Sequence, residues 1–106
     1  MKLLNAFSLN MLRLPAIVKF TVAEKPSKCD LVAMESCIGH HDTAALVGVI
    51  TNRVTVELAV GERFLLAQYI GPRLPEGTTT LPDGARIEFI AGEVLPAIDK
   101  GNNEPE

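Results

Sequence analysis

The chain has 106 residues, 47% of them hydrophobic and 22% charged, which suits one globular domain with its own core and excludes an intrinsically disordered protein. A formal net charge of −3 argues against a protein that coats long duplex DNA or RNA, because such binding rests on many Lys and Arg contacts to phosphates; a compact ligand with few phosphates is still compatible. Asn5, Ser8, Asn10 and Arg13 interrupt what would have to be an apolar signal region, and no stretch approaches the roughly 18 apolar residues of a membrane span. A soluble cytoplasmic protein without a membrane partner is therefore expected.

In chain order, residues 1–5 read as a first strand, and Phe7 to Arg13 as a short helix with Phe7 and Met11 on one face, stopped by Pro15. Ala16 to Glu24 alternates as a half-buried strand does, and Lys25-Pro26-Ser27-Lys28 is a turn. Residues 29–37 suit a third strand or a short helix, with the strand preferred. Asp42 is a candidate N-cap for an apolar helix over residues 44–50. Val54–Ala59 and Arg63–Tyr69 alternate around Val60-Gly61-Glu62 and predict a hairpin. A loop rich in Pro and Gly covers 71–84, a last strand runs from Arg86 to Val94, and residues 99–106 form a polar tail outside the 1–98 domain. The expected fold is α/β of the mixed α+β kind: a single compact domain with a mixed sheet flanked by short helices. At this size much surface stays exposed, so self-association is physically useful.

Three polar clusters stand where a core would not put them. Asn5, Ser8 and Asn10 sit at the first strand–helix junction, where Asn and Ser also serve as simple caps. Gly39-His40-His41 precedes a helix whose free N–H groups favour a phosphate, although a His there is more often a surface or capping residue. Gln68 is followed by Gly71-Pro72-Arg73-Leu74-Pro75-Glu76-Gly77, a stiffened loop that can hold a guanidinium for a phosphate or simply carry a solvated Arg73–Glu76 pair. Arg53 suits a cationic partner for the end of the preceding helix. Cys29 and Cys37 lack a CxxC spacing and read as two buried or half-buried free thiols. No phosphate-loop or dinucleotide fingerprint and no paired acidic cluster for two metals is present, so no metal or other cofactor is expected.

Leu4-Asn5-Ala6-Phe7-Ser8-Leu9-Asn10-Met11-Leu12, Ile38-Gly39-His40 with Thr43, Asn52-Arg53-Val54, Gln68, and Arg73-Leu74-Pro75-Glu76-Gly77 together resemble the viral ring nuclease family, the anti-CRISPR proteins of archaeal viruses and phages, with relatives in bacterial genomes. The resemblance implies a metal-independent phosphodiesterase, acting as a homodimer, that binds and cleaves cyclic tetra-adenylate and so switches off the ancillary effectors of type III CRISPR defence, in the host cytoplasm if the protein is viral. In the family's chemistry a ribose 2′-hydroxyl attacks the adjoining phosphorus and an acid protonates the departing 5′-oxygen, leaving short linear oligoadenylates with 2′,3′-cyclic phosphate ends. His40 matches the acid, Arg73 the arginine that offsets phosphate charge, and Glu76 the acidic partner of the histidine. Asn5, Ser8, Asn10, Arg53 and Gln68 match pocket-lining positions. His41 departs from the small acidic residue common in relatives, and Leu81-Pro82-Asp83-Gly84 replaces a longer helix of some members. The competing expectations are a non-catalytic cyclic-nucleotide binding module and a viral accessory DNA-binding or structural protein.

Overall fold

In the computed structural model, which describes residues 1–97, the strands are β1 (Lys2–Leu4), β2 (Ala16–Ala23), β3 (Glu35–Ser36), β4 (Arg63–Ile70) and β5 (Arg86–Pro96), with helices α1 (Lys28–Ala33) and α2 (His41–Val47). They build a five-stranded mixed sheet in the order β2–β5–β4–β1–β3. β1 runs parallel to both β3 and β4, and β5 runs antiparallel to both β4 and β2. The result is one α+β domain, as the composition and element pattern predict. The expected tail over 99–106 lies outside the described residues.

Alternation along the strands separates two core layers. On the helix side Leu3, Leu65, Ala67 and Phe89 pack with Leu31, Ile38, Ala44 and Val47. On the other side Leu4, Phe64 and Val94 pack with Cys37 and Leu58. Phe64 is fully buried there, with the Phe7 ring stacked on it at 5.7 Å and Phe20 edge-on to both. Side chains this deeply buried each stabilise the fold by about 1.5–3 kcal/mol through the apolar area they remove from water.

Local readings change in four places. The Phe7–Arg13 helix is only a 3-10 turn over Leu9–Met11. Of residues 29–37, preferred as a third strand, only Glu35–Ser36 form one, the short β3; residues 29–33 belong to α1 instead, because the Ser27 hydroxyl accepts the Asp30 N–H at 3.1 Å and starts a helix. The hairpin over Val54–Tyr69 is not made: the start of β4 at Phe64–Leu66, where the hairpin would begin, is paired on both edges by β1 and β5, and Val54–Ala59 contributes only a single bridge from Leu58 to Leu12. The N-cap of α2 is His40 rather than Asp42, and the helix ends at Gly48, whose φ of +94° provides the left-handed cap, so Arg53 is not its C-terminal partner. Of the two thiols, Cys37 is buried as expected and Cys29 is exposed.

Candidate functional site

β1, β3 and β4 point the same way; β1 and β3 end almost level, at Leu4 and Ser36, while β4 runs on to Ile70, past its Leu66–Leu4 pairing. The carboxyl edge of parallel strands is where open sheets bind ligands, because the chain must leave the sheet there and its loops are free to vary. All three polar clusters picked out in the sequence leave from this edge. Asn5, Ser8 and Asn10 follow β1, and His40 follows β3. Gln68 lies near the end of β4, two residues past the Leu66–Leu4 pairing, and Arg73 and Glu76 follow that strand. Each of these side chains is exposed.

Asn5, Ser8 and Asn10 line a hollow of about 350 Å³ whose far wall is Cys37 and Val54–Val56. Ser8 stands at the N-cap of the 3-10 turn but makes no side-chain cap bond; its hydroxyl donates instead to Asn10 Oδ1 at 2.6 Å. The simple capping explanation therefore fails for Ser8. The pair presents a linked polar surface to the hollow.

The segment carrying His40 is pinned along its length. Cys37 N–H donates to Leu3 O, and Asn52 closes the other side, donating its backbone N–H to Ile38 O and its amide Nδ2 to Ser36 O at 2.8 Å. The Ser36 hydroxyl, itself buried, donates to Ile50 O at 2.6 Å. This stitching lays Arg53 against Gly39: a β-carbon at Gly39 would be 3.5 Å from Arg53 Cγ. Arg53 thus arrives against Gly39, the residue before His40, by tertiary packing and not as a helix cap.

α2 has seven residues, barely two turns, so its dipole adds little to anion binding. Its second residue does something the sequence did not signal. Asp42 Oδ2 accepts the Gly77 N–H at 2.9 Å, across 35 residues. That N–H belongs to a tight turn over Pro75–Thr78, in which Thr78 N–H and hydroxyl both donate to Pro75 O and Gly77 takes φ +88°. Positive φ at the third position is what a type II turn requires, hence the glycine. Glu76 occupies the second position of that turn. The expected Arg73–Glu76 ion pair is not formed among the described residues; those seen are Lys2–Glu62, His41–Asp42 and Arg86–Glu88. His41 is 80% exposed, with Nδ1 3.6 Å from Asp42 Oδ1.

Arg73 lines a second hollow, of about 510 Å³, on the helix side of the sheet between α2 and the β4 end, with Thr43, Leu46, Tyr69 and Ile87. Tyr69 donates its hydroxyl to Pro72 O at 2.7 Å, and Gly71 is forced by space, since a β-carbon there would sit 2.7 Å from both Tyr69 Oη and Ala85 Cβ. Tyr69 thereby sets the course of the Arg73 loop. Sequence reading missed both Tyr69 and the Asp42 contact; a lone tyrosine two residues before Gly71-Pro72 was the only trace. One chain does not gather its candidate residues into a single cavity: Asn5, Ser8 and Asn10 share one hollow, Arg73 lines another, and His40, Arg53, Gln68 and Glu76 line neither. Among the described residues no helix is long and apolar enough to cross a membrane.

The fold and this edge define a small α+β protein with polar loops gathered at the carboxyl ends of its parallel strands. It is similar to B116 of Sulfolobus turreted icosahedral virus, at 29% sequence identity and a TM-score of 0.66, covering 87% of this chain and 97% of that one. Coverage on that scale makes it a likeness of the whole domain. No protein-family model matches the chain, and no curated protein matches it.

Proposed function

We propose that the protein is a metal-independent ring nuclease that binds cyclic tetra-adenylate as a homodimer and cuts it. The observation that carries the reading is that the carboxyl ends of the parallel strands β1, β3 and β4 and the loops leaving them carry Asn5, Ser8 and Asn10, then His40, then Gln68, Arg73 and Glu76, with Arg53 packed beside Gly39. That is the set the family resemblance calls for. The similar structure is itself a viral protein, in keeping with a family found in viruses.

In the proposed reaction a ribose 2′-hydroxyl gives up its proton to solvent and attacks the neighbouring phosphorus, the P–O5′ bond breaks, and His40 gives a proton to the departing oxygen, leaving a 2′,3′-cyclic phosphate. An exposed histidine can exchange that proton with solvent between cuts. Arg73 offsets charge building on the phosphoryl oxygens, and Glu76 orients His40 once the ring is bound. Asn5, Ser8 and Asn10 offer the hydroxyl and amide groups that suit ribose and base edges. The openness of the site in one chain fits a pocket completed by a second copy, which doubles Arg53 and Arg73 around a ring of repeating phosphates.

The test is to incubate the protein with cyclic tetra-adenylate in EDTA and resolve the products. Linear oligoadenylates ending in 2′,3′-cyclic phosphate are expected. Retention of an intact ring would reduce the protein to a binding module, and binding to duplex DNA at physiological salt with no affinity for the ring would favour an accessory DNA-binding role.

A further inference from the structure

We propose that Asp42 is a positioning residue for the cleavage reaction: its carboxylate latches the turn that carries Glu76, and with it the Arg73 loop, to the start of the helix that His40 caps. The proposal rests on the ring nuclease reading for its catalytic consequence, while the latch itself is a property of the fold.

His40 and the Arg73–Glu76 loop come from different strands, and the described contacts include no hydrogen bond or ion pair from His40, Arg73 or Glu76 to one another. What joins the two segments is the Asp42 Oδ2–Gly77 N–H bond at 2.9 Å. Asp42 is one helical step past His41 and two past the His40 cap, and Gly77 directly follows Glu76. Each end of the latch is fixed by its own local structure. α2 holds Asp42, whose backbone is helical, and the Pro75–Thr78 turn holds Gly77, whose φ is +88° and whose N–H the turn's own hydrogen bonds leave free for Asp42. A bond from a carboxylate to a backbone N–H is of the stronger, charge-assisted kind, and Asp42 is only 24% exposed. Without it, nothing else among the described polar contacts holds the 73–77 loop to α2. A displacement of about 1 Å of a catalytic partner costs up to 10²-fold in rate.

Three variants separate the outcomes. Asp42→Ala removes the acceptor, Asp42→Asn keeps an acceptor oxygen at the same reach, and Asp42→Glu keeps the charge but moves the carboxylate out by one methylene. Amide exchange read by NMR tests the latch directly: Gly77 N–H should exchange about tenfold or more faster in Asp42→Ala than in the unaltered protein, with protection restored in Asp42→Asn, on the scale of one lost hydrogen bond to a charged group. Single-turnover cleavage of cyclic tetra-adenylate tests the consequence: Asp42→Ala and Asp42→Glu should cut about 10- to 100-fold more slowly, Asp42→Asn close to the original rate, and all three should bind the ring with little change. The Glu variant preserves the acidic first turn of α2, so a slow Glu variant is not a folding defect. Equal Gly77 exchange in all proteins overturns the latch, whatever the activity. Unchanged cleavage in Asp42→Ala and Asp42→Glu overturns the positioning role. An unaltered protein that leaves the ring intact removes the ring nuclease reading, and Gly77 exchange then still decides the latch.

Discussion

Phe64 fills the space above Gly92: a β-carbon on Gly92 would lie 2.3 Å from Phe64 Cζ and 2.6 Å from Cε2. The two residues face each other across β4 and β5, and the ring that occupies the glycine's missing side chain also receives Phe7 and Phe20. Gly92→Ala should therefore destabilise the domain by about 1–3 kcal/mol through overpacking, seen as a lowered thermal midpoint. Adding Phe64→Leu should return part of the loss, because the shorter side chain vacates the contested space. A Gly92→Ala protein as stable as the original would show that the ring can move aside at no cost.

Lys2 and Glu62 form a partly buried ion pair that joins the β1 edge to the turn before β4, with Glu62 also accepting the Ala59 N–H. The Lys2 ammonium holds the Glu62 carboxyl below its ordinary value of 4.5, helped by the Ala59 bond, and the hydrogen bond to Glu62 holds Lys2 above 10.5. For Glu62, whose folded value is depressed, the contribution is complete above 4.5 and disappears as pH falls through the lower folded value. For Lys2, whose folded value is raised, it is complete below 10.5 and disappears as pH climbs through the higher folded one. Lys2→Met should thus destabilise the protein across the neutral range, with the gap to the original closing in acid. Denaturant midpoints measured from neutral pH down to pH 3 check this; a gap that stays constant in acid would count against the pair.

Asn52 closes the strand-like segment before His40 with two donations, to Ile38 O and Ser36 O. Asn52→Ala leaves Ser36 O without its amide partner, at a cost of about 1–3 kcal/mol for a buried acceptor, and loosens the course of residues 38–40. The expected outcome is a lower melting temperature with faster amide exchange at Gly39 and His40. Asn52→Asp removes the donor while keeping the shape, and should behave like the alanine variant.

His40 and His41 separate cleavage from mere presence of an imidazole. His40→Ala should depress single-turnover cleavage by at least about 10²-fold, the scale of a lost general acid, with ring binding largely kept. His41→Ala should change turnover far less, since His41 is the first residue of α2 and its ring turns to solvent beside Asp42. A dead His41 variant would shift the acid by one residue.

The proposed homodimer is checked by sedimentation with and without the ring. A dimer at micromolar protein is expected, and Arg73→Ala should weaken ring binding without dissolving it. Monomer under every condition would leave the two-fold pocket without a basis.

The strands whose partners lie far away were legible where alternation was strong: Ala16–Ala23 and Arg86–Pro96 appear nearly as the hydrophobic pattern draws them. Val54–Ala59 alternates just as well and is not a strand, because pairing depends on a free edge and Phe64–Leu66 of β4, next to the expected turn, is taken on both sides by β1 and β5. Ser27 illustrates the opposite failure: a single capping hydroxyl outweighed the apolar run of Leu31, Val32 and Met34 that suggested a strand. At the site, residue types and spacing identified the polar clusters. They did not show that Arg53 lies against Gly39 or that Asp42 reaches Gly77, because both contacts come from the closing of long loops and leave no local signature.

The sheet order also dictates how the chain must assemble. β1 is the first strand made, yet both of its neighbours come later, and β2 has no partner until β5, the final strand. A chain emerging from the ribosome therefore carries the apolar stretch of β2, with Phe20 and Val22, unpaired until residues beyond Arg86 are free. Every strand pairing in the sheet spans thirty or more residues except β4 with β5, which are consecutive strands. Such topology folds slowly, because the closure entropy is spent before the contacts that offset it form. β4 with β5 is the natural starting unit, and a chain cut short before β5 keeps the β4–β1–β3 pairings but leaves β2 with no strand to join.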